Sequence, residues 1–307
     1  MAELRRDAVR VVVPASSANL GPGFDSAGLA LAVYDDLIAM VTDDEGVLVE
    51  VAGEGHDTVP LDESHLVVRA MSAAFACLGV RPSGFILRCT NTIPHSRGMG
   101  SSAAAIIGGI VLARAMVVDG HDLMTDGDVL QVALTMEGHP DNLSAALHGG
   151  FTIAWLEQDG FGDVVRMDPH PDVRPVVLVP PDEVPTSKAR AMLPADVPFA
   201  DAVLNVSRAA LLVHAMTVDP GRLLVATEDR LHQQVRASVY PESVALVDRL
   251  RCAGIPAVIS GAGPAVLAFA PEHGDAAIAD AADGRWAVRR LDVSAYGARE
   301  VPITPVD

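Results

Sequence analysis

The chain has 307 residues, which is enough for one large or two medium domains, and half of these residues are hydrophobic. Aromatic residues make up only 4%, so the core must be built mainly from Ala, Val, Leu and Ile. Lys and Arg number 22 against 40 Asp and Glu, a net charge of −18, and so acidic a surface repels nucleic acid and anionic membranes.

The N-terminal half reads as strands and helices separated by loops of small residues. Apolar runs and alternations predict strands at 9–13, 29–42, 47–51 and 84–90, with the first strand stopping at Pro14. Amphipathic or apolar spacing predicts helices at 66–78, 103–118 and 128–136. This order lacks the regular alternation of strand and helix that is typical of a doubly wound sheet.

The composition changes after a predicted strand at 151–156. Residues 157–175 are rich in Asp, Gly and Pro, which is typical of a linker or a long hairpin. Beyond them we expect strands at 176–179, 257–260 and 265–270 and helices at 201–216, 221–228 and 242–253. We therefore predict two domains, 1–160 and 161–307.

Nothing in the sequence points to export or to a disulfide framework. Cys77, Cys89 and Cys252 show no metal-ligand spacing, as expected of buried thiols in a reducing compartment. The N-terminal residues include acidic side chains and precede no long apolar run, and the most apolar window, 103–118, contains two glycines and Arg114. We predict a cytoplasmic protein with no membrane partner.

The loop IPHSRGMGSSAAA (93–105) has the composition of an anion-binding loop that runs into a helix. Gly98 and Gly100 allow the backbone to turn and approach a ligand, and Ser101 or Ser102 is expected to cap the helix. The first N–H groups of a helix have no internal partner and the helix dipole favours an anion there, so a phosphate fits. A plain capped helix with a flexible entry loop is the alternative.

Two better-known motifs are excluded for this loop. A P-loop needs a lysine, and the single lysine of the chain, Lys188, lies far along the sequence. A nucleophile elbow needs a second glycine after the serine, where this chain has alanine. A serine hydrolase therefore has weak support.

The loop PASSANLGPGFDSAG (14–28) places Asn19 and Asp25 among residues too small to fill a core. Its glycines allow close approach of the backbone, so Asn19 and Asp25 are candidate contacts in a substrate pocket. An Asx-rich turn that supports the first hairpin is the alternative interpretation.

The segment EGHPDN (137–142) brings two carboxylates, an imidazole and an amide together in six residues. Burying unpaired polar groups is costly, so His139 and Asp141 indicate a polar pocket. The Glu137 carboxylate suits Mg²⁺, which usually takes one or two carboxylates plus phosphates. The alternative is that Asp141 or Asn142 caps a helix at 143–147.

Together with the turn SGAGP (260–264), these loops resemble the motifs of the GHMP kinase family, in order and spacing, from residue 10 to residue 270. The family includes galactokinase, homoserine kinase, mevalonate kinase and phosphomevalonate kinase. The resemblance implies an α/β (α+β) fold of two domains. The N-terminal part would be like the second domain of ribosomal protein S5, with a left-handed βαβ unit, and the C-terminal part ferredoxin-like.

Within the family, the homoserine kinases are the most similar group. The loops 14–28 and 137–142 are similar to theirs, as are TSKAR (186–190) and DRLHQ (229–233) followed by Arg236. Mevalonate kinases carry a catalytic lysine in the first loop, and 14–28 has none. The resemblance therefore implies transfer of the ATP γ-phosphoryl group to the side-chain hydroxyl of L-homoserine.

The resemblance also implies a role for each candidate residue. The ATP triphosphate would lie on Pro94, His95, Ser96, Arg97, Gly98, Met99, Gly100, Ser101, Ser102 and Ala103. Mg²⁺ would be held by Glu137 with Ser101 or Ser102. The substrate would contact Asn19, Asp25, His139, Asp141, Arg190, Arg236 and Gly261, with the two arginines on its carboxylate. The catalytic group would be Glu137, Asp141 and Asn142, with Asp141 the first candidate for a general base.

Two other functions stay open from the sequence. One is a GHMP kinase for a different small alcohol, and the other is a non-catalytic relative that binds a ligand. A homodimer is expected from the family alone.

Overall fold

The computed structural model describes residues 2–158, 160–270 and 274–303. The fold is built on two β-sheets, and helices pack against them. The strands are β1 Val9–Ala18, β2 Ala27–Thr42, β3 Gly46–Gly53, β4 Gly84–Asn91, β5 Phe151–Leu156, β6 Gly162–Met167, β7 Pro175–Val179, β8 Ala257–Ile259, β9 Val266–Phe269, β10 Ala287–Arg290 and β11 Arg299–Glu300.

The helices match the predicted ones closely in the N-terminal half. They are α1 Leu66–Cys77, α2 Ser101–Ala115, α3 Gly120–Leu123, α4 Asp126–Met136, α5 Pro140–His148, α6 Thr186–Arg190, α7 Phe199–Thr217, α8 Leu223–Ala226, α9 Pro241–Cys252 and α10 Asp275–Ala282. A short 3₁₀ turn, Pro220–Arg222, precedes α8. The helix predicted at 221–228 is therefore wrong in its extent, because the chain leaves α8 at residue 226.

The larger sheet runs in the order β11-β1-β2-β4-β3, with β5 joined to β2 and β6 joined to β5. Strands β3 and β4 are parallel and are connected by α1, which is the βαβ unit that the family resemblance implies. The first strand does not stop at Pro14 as predicted. It continues to Ala18 after a register shift between Pro14 and Ala15, because an irregularity of this kind accommodates a residue without an N–H group.

The smaller sheet runs β10-β7-β9-β8, and all of its pairs are antiparallel. Numbered in chain order, its four strands lie in the sequence 4-1-3-2, which is the ferredoxin-like arrangement. Strand β7 is buried along its whole length, as a central strand covered on both faces is. This confirms the fold expected for the C-terminal part.

The sheet to which each strand belongs indicates where the boundary between the two domains lies. Strand β6 extends the larger sheet, so residues 157–175 include a hairpin, and β11 returns to pair with β1. The division at residue 160 stays a prediction. By sheet membership we propose that it falls after Met167, with Arg299–Glu300 returning to the larger sheet.

Helix α7 is long and apolar enough to cross a membrane by length and composition alone, and 22% of its most apolar window is buried. A single helix of this kind is weak evidence for a span. Its charged residues form ion pairs with the segment after α8, Arg208 with Glu228 and Asp201 with Arg230. These pairs tie the helix to the body of the protein.

Candidate active site

Three loops meet where the two sheets adjoin. The Ser16 N–H donates to the Met99 carbonyl (3.0 Å), and the Gly261 N–H donates to the Ala18 carbonyl (3.1 Å). The Ser260 hydroxyl completes the contact by donating to the Gly98 carbonyl at 2.5 Å. The loops 14–28, 94–103 and 260–264 are therefore hydrogen-bonded to one another and form one cluster.

A polar cavity opens between this cluster and the segments 137–142, 186–190 and 236. The predicted substrate and catalytic residues that line it are Asn19, Glu137, His139, Asp141, Asn142, Arg190, Arg236 and Gly261. The structure thus brings together side chains that are as much as 242 positions apart in the chain. Thr186 and Ala262 also line the cavity; they belong to the motifs TSKAR (186–190) and SGAGP (260–264), but neither was predicted as a contact.

The start of α2 differs from the prediction in one respect. Neither Ser101 nor Ser102 caps the helix; they are its first two residues, and Gly100 is the N-cap in a left-handed conformation (φ 71°). Among the residues that the structure describes, no side chain caps α2. The first N–H groups of the helix belong to residues that line the cavity and have no side-chain cap among the described residues, as an anion site requires.

Six of the ten predicted phosphate residues line the cavity, while Pro94 is buried and His95 lines a neighbouring pocket. Those that line the cavity are Ser96, Gly98, Gly100, Ser101, Ser102 and Ala103. Met99 is fully buried in the core, and the Arg97 guanidinium turns away to the carbonyls of Pro180 and Pro181 and to Glu183. The Arg97 side chain thus anchors the loop and does not face the cavity.

Glu137 lies between α4 and α5, and its carboxyl faces the N-terminus of α2. Burial raises the pKa of Glu137, while the Ser102 hydroxyl and Arg190 favour the ionised form. Its Oε2 atom is buried and has no hydrogen-bond partner in the described part of the chain. The described residues contain no group of three or more His, Cys, Asp or Glu side chains able to hold a metal. A cation here would need ligands from a bound phosphate as well.

Asp141 lies in the first turn of α5 and is 3% exposed. Burial, with a smaller contribution from the nearby Asp25 and Glu137 carboxylates, raises the pKa of Asp141 to about 7, while the Asn142 N–H and Arg190 favour the ionised form. The helix begins at Pro140 with His139 as N-cap, so the alternative of Asp141 or Asn142 capping a helix at 143–147 is wrong. Asp141 is thus a buried acid that titrates near neutrality.

Asn19 and Asp25 hold the first loop in a strained shape, since both have positive φ angles (69° and 55°). The Asn19 side chain accepts from the Asp25 N–H (3.0 Å) and donates to the Gly261 carbonyl (2.9 Å), so it bridges two of the loops. Asp25 forms a two-pronged ion pair with Arg190, at 2.5 and 3.2 Å. Arg190, expected on the substrate carboxylate, is therefore paired within the protein.

Arg236 is a buried cation without such a partner. It is 1% exposed, and within the described ranges no carboxylate lies within ion-pair distance of it. Its guanidinium carbon lies 5.2 Å from the centre of the Phe24 ring, and that of Arg190 lies 5.7 Å from the same ring. Because an isolated buried charge is costly, this arrangement favours an anionic ligand at Arg236.

A second, more apolar pocket adjoins the cavity across Ser96, Ser101 and Ser102. Its walls include Val59, Pro60, Leu66 and Val67, with Asp35, His65, Asn91 and His95 as polar groups. His65 is 5% exposed, and burial lowers the pKa of its imidazole, whose Nδ1 has no hydrogen-bond partner in the ranges described. The sequence analysis named only His95 and the three shared serines of this pocket, because its other wall residues come from separate loops and helix starts.

Comparison with known proteins gives consistent results. Residues 65–150 match the family described as GHMP kinases N terminal domain, and residues 212–286 match GHMP kinases C terminal. The chain is 52% identical to a homoserine kinase of Streptomyces avermitilis, with 97% of each chain covered. It is 49% identical to a homoserine kinase of Leifsonia xyli subsp. xyli, covering 89% of this chain and 84% of that one.

Solved structures show the same fold. A homoserine kinase of Cytophaga hutchinsonii superposes with a TM-score of 0.83 at 24% identity, covering 97% of this chain and 99% of that one. An L. major mevalonate kinase in complex with R-mevalonate superposes with a TM-score of 0.71 at 16% identity, covering 95% and 98%. At these identities the similarity concerns the fold alone.

Proposed function

The chain belongs to the GHMP kinase family, and we propose that it catalyses the ATP-dependent phosphorylation of the L-homoserine hydroxyl, giving O-phospho-L-homoserine for threonine synthesis. Relatives that share about half of its residues over nearly its whole length are homoserine kinases. The observation that carries the proposal in the structure is the charge pattern of the cavity. Buried Arg236 lacks an anion, and the Asp25–Arg190 pair offers one charge of each sign.

The nucleotide fits the two adjoining pockets. The triphosphate binds at the N-terminus of α2 and along the loop 96–103, where no described side chain caps the backbone N–H groups of the helix. The adenine occupies the apolar pocket between Pro60 and Leu66. There the unpartnered Nδ1 of His65 forms a hydrogen bond with the base, as donor or as acceptor. The three serines shared by both pockets then lie along the phosphates.

The residues around Glu137 fit a magnesium ion held jointly with phosphate. The orphaned Oε2 of Glu137 and the hydroxyl of Ser101 or Ser102 supply hard oxygen ligands, and one carboxylate with phosphates is a normal set for Mg²⁺. When bound, the ion neutralises negative charge on the phosphates as the γ-phosphoryl group is transferred. Without a cation, the Glu137 carboxylate would repel the triphosphate.

L-Homoserine is a zwitterion, and the cavity offers both signs of charge. The carboxylate of L-homoserine binds Arg236, whose planar guanidinium presents two parallel N–H donors to it. The ammonium group of L-homoserine binds the Asp25 carboxylate, which is paired with Arg190 in the free protein. The substrate thereby separates Asp25 from Arg190, and Arg190 becomes free to contact the substrate carboxylate together with Arg236. His139 lines the same cavity, and burial together with Arg190 lowers the pKa of its imidazole, so it contacts the substrate as a neutral group.

The chemistry then rests mainly on positioning. The hydroxyl oxygen of the substrate attacks the γ-phosphorus, the bond from that phosphorus to the β,γ-bridging oxygen breaks, and ADP leaves. The Asp141 carboxylate accepts the proton released by the hydroxyl, which a group with a pKa of about 7 can do near neutral pH. Asn142 orients this site by accepting from the Ser16 hydroxyl at 3.0 Å.

A substrate panel tests the proposal. ADP release with Mg-ATP is measured over L-homoserine, D-homoserine, L-threonine, mevalonate and galactose. We expect turnover mainly with L-homoserine. Preference for another alcohol would contradict the assigned substrate, and binding of ATP without turnover on any of them would indicate a non-catalytic relative. A cytoplasmic location stays a prediction from the sequence composition, and a homodimer stays one from the family.

A further inference from the structure

His232 lies directly behind the proposed carboxylate site and has no part in the mechanism above. Its side chain is fully buried, and its ring packs against Phe24 at a tilt of 30° with the ring centres 4.9 Å apart. One ring nitrogen, Nε2, lies 2.8 Å from the Gly21 carbonyl oxygen. The other, Nδ1, lies 3.4 Å from a terminal nitrogen of the Arg236 guanidinium. The imidazole therefore connects the first loop to the buried arginine.

These two contacts fix which nitrogen carries the proton. A carbonyl oxygen can only accept and a guanidinium can only donate, so Nε2 must bear the hydrogen and Nδ1 must be the acceptor. Burial lowers the pKa of His232, and the nearby Arg236 cation lowers it too, against the Asp229 carboxylate 3.7 Å from Nε2. The ring is thus neutral, with a lone pair directed at Arg236.

The backbone under the ring is held as firmly as the ring itself. The Asp229 carboxylate accepts from the N–H groups of Leu231, His232 and Gln233 at 2.9 to 3.1 Å. The Gln233 side chain in turn accepts from the Ile259 N–H at 2.7 Å. The turn that carries the imidazole is therefore fastened to the smaller sheet, while the imidazole reaches across to Gly21.

We propose that His232 is a positioning residue, which orients the Arg236 guanidinium toward the substrate carboxylate through its Nδ1 lone pair. The inference rests on the proposed function, because it assigns the carboxylate of homoserine to Arg236. Besides the imidazole, the side chains next to the Arg236 guanidinium are the Phe24 ring and Tyr240, whose buried hydroxyl forms no hydrogen bond of good geometry in the described part of the chain. The imidazole acts on binding of the amino-acid substrate and leaves the nucleotide site untouched.

Two conservative variants separate positioning from packing. In H232N the amide group sits near the place of Nδ1 and keeps an acceptor for Arg236, while the bond to Gly21 is lost. In H232Q the amide reaches the place of Nε2 and keeps the bond to Gly21, while the acceptor for Arg236 is lost. We expect H232Q to raise the KM for L-homoserine by roughly tenfold or more and H232N by no more than about threefold. The KM for ATP should stay within about twofold in both.

The outcomes are distinguishable. Absence of turnover on L-homoserine in the unmodified enzyme would overturn the proposed function. Normal turnover there, combined with equal KM increases in H232N and H232Q or with parallel changes for ATP and homoserine, would overturn the positioning role alone.

A measurement on the unmodified protein covers the case in which a variant does not fold. Nitrogen-15 NMR of the histidine rings distinguishes protonated from unprotonated ring nitrogens, and whichever variant folds assigns the His232 signals among the ten histidines. We expect Nε2 protonated and Nδ1 unprotonated at pH 7 to 8. The opposite tautomer, or a doubly protonated ring, would leave Arg236 without an acceptor and overturn the proposal.

Discussion

At the scale of single residues, Arg236 is the proposed specificity determinant, because its buried charge has no carboxylate within ion-pair distance among the described residues. We expect R236M, which keeps much of the side-chain volume, to raise the KM for L-homoserine by roughly 10- to 100-fold through loss of charge-assisted hydrogen bonds. The KM for ATP should change little. Steady-state kinetics with each substrate varied in turn measures both.

Arg230 provides the matched control for this substitution. Its side chain is 62% exposed and pairs with Asp201, so R230M should leave both KM values near those of the unmodified enzyme. Removing an unpaired buried cation should also not lower the melting temperature of R236M. Equal increases in the two KM values of R236M would contradict a carboxylate site at this residue.

Asp141 links activity to stability through its raised pKa. The carboxyl takes up its proton at about pH 7 in the folded chain against 3.8 ordinarily, so the native state binds more protons between these values. Folding stability from this group is therefore lost as the pH rises from about 4 to about 7. Activity should have the opposite dependence if Asp141 is the general base, because only the ionised carboxylate accepts a proton.

The variant D141N should separate these two effects. It should lower kcat by roughly 10²- to 10⁴-fold and should lack the acid limb near pH 7 in the kcat profile of the unmodified enzyme. Its melting temperature should exceed that of the unmodified protein at pH 8, and the difference should shrink at pH 4.5. A larger difference at acid pH would show that Asp141 is not buried as a protonated acid.

At the scale of elements, the start of α2 depends on glycine at position 100. A Cβ added to Gly100 would lie 2.1 Å from the Ser16 hydroxyl oxygen and 3.1 Å from Oδ1 of Asn142. We expect G100A to raise the KM for ATP, because relief of this clash moves the first N–H groups of the helix. Its loss of unfolding free energy should also exceed the cost of a left-handed alanine, about 1 kcal/mol.

Gly79 supplies the control, since it has a similar φ angle (68°) and open space around its position. G79A should lose only the conformational cost and should keep both KM values. Chemical denaturation and initial-rate kinetics on the two variants make the comparison. Equal effects of the two substitutions on ATP binding would show that the loop tolerates displacement.

The helices and strands also show how much of the fold can be predicted from the sequence. Apolar periodicity located strands such as β4 and helices such as α1 to within a few residues, because local burial patterns determine them. The continuation of β1 past Pro14 and the early end of α8 were missed, since each depends on packing between distant segments. The three loops were recognised as functional candidates because their small and polar residues are unsuited to filling a hydrophobic core.

Side-chain pairing in the site was less predictable. The sequence placed Arg190 and Asp25 in one pocket, but their mutual ion pair follows from tertiary approach across 165 positions. Arg97 looked like a phosphate ligand from its place in the loop, yet its side chain turns to Pro180 and Pro181. The apolar walls of the proposed adenine pocket had no motif, since residues such as Val59 and Leu66 cannot be told from core residues in the sequence.

At the scale of the whole molecule, the substrate site is shared between the parts that carry the two sheets. Asp25 follows β1 of the larger sheet, whereas Arg236 and Gly261 belong to segments tied to the smaller one. A ligand that contacts both should stabilise the fold by about 2.7 kcal/mol at 100 times its Kd. L-Homoserine should therefore raise the melting temperature by a few degrees.

Two comparisons check this expectation by differential scanning fluorimetry. 3-Amino-1-propanol, which lacks the carboxylate, should give a much smaller shift at the same concentration, and R236M should lose most of the shift with L-homoserine. Equal stabilisation by the two ligands would contradict a site that depends on the carboxylate.

The transfer reaction itself is tested most directly by phosphorus-31 NMR of the products formed from Mg-ATP and L-homoserine. We predict ADP together with a phosphomonoester whose signal is split by the two protons of an adjacent methylene group, in equal amounts. Formation of ADP with inorganic phosphate alone would contradict the assignment, because it would show that water and not the homoserine hydroxyl receives the phosphoryl group.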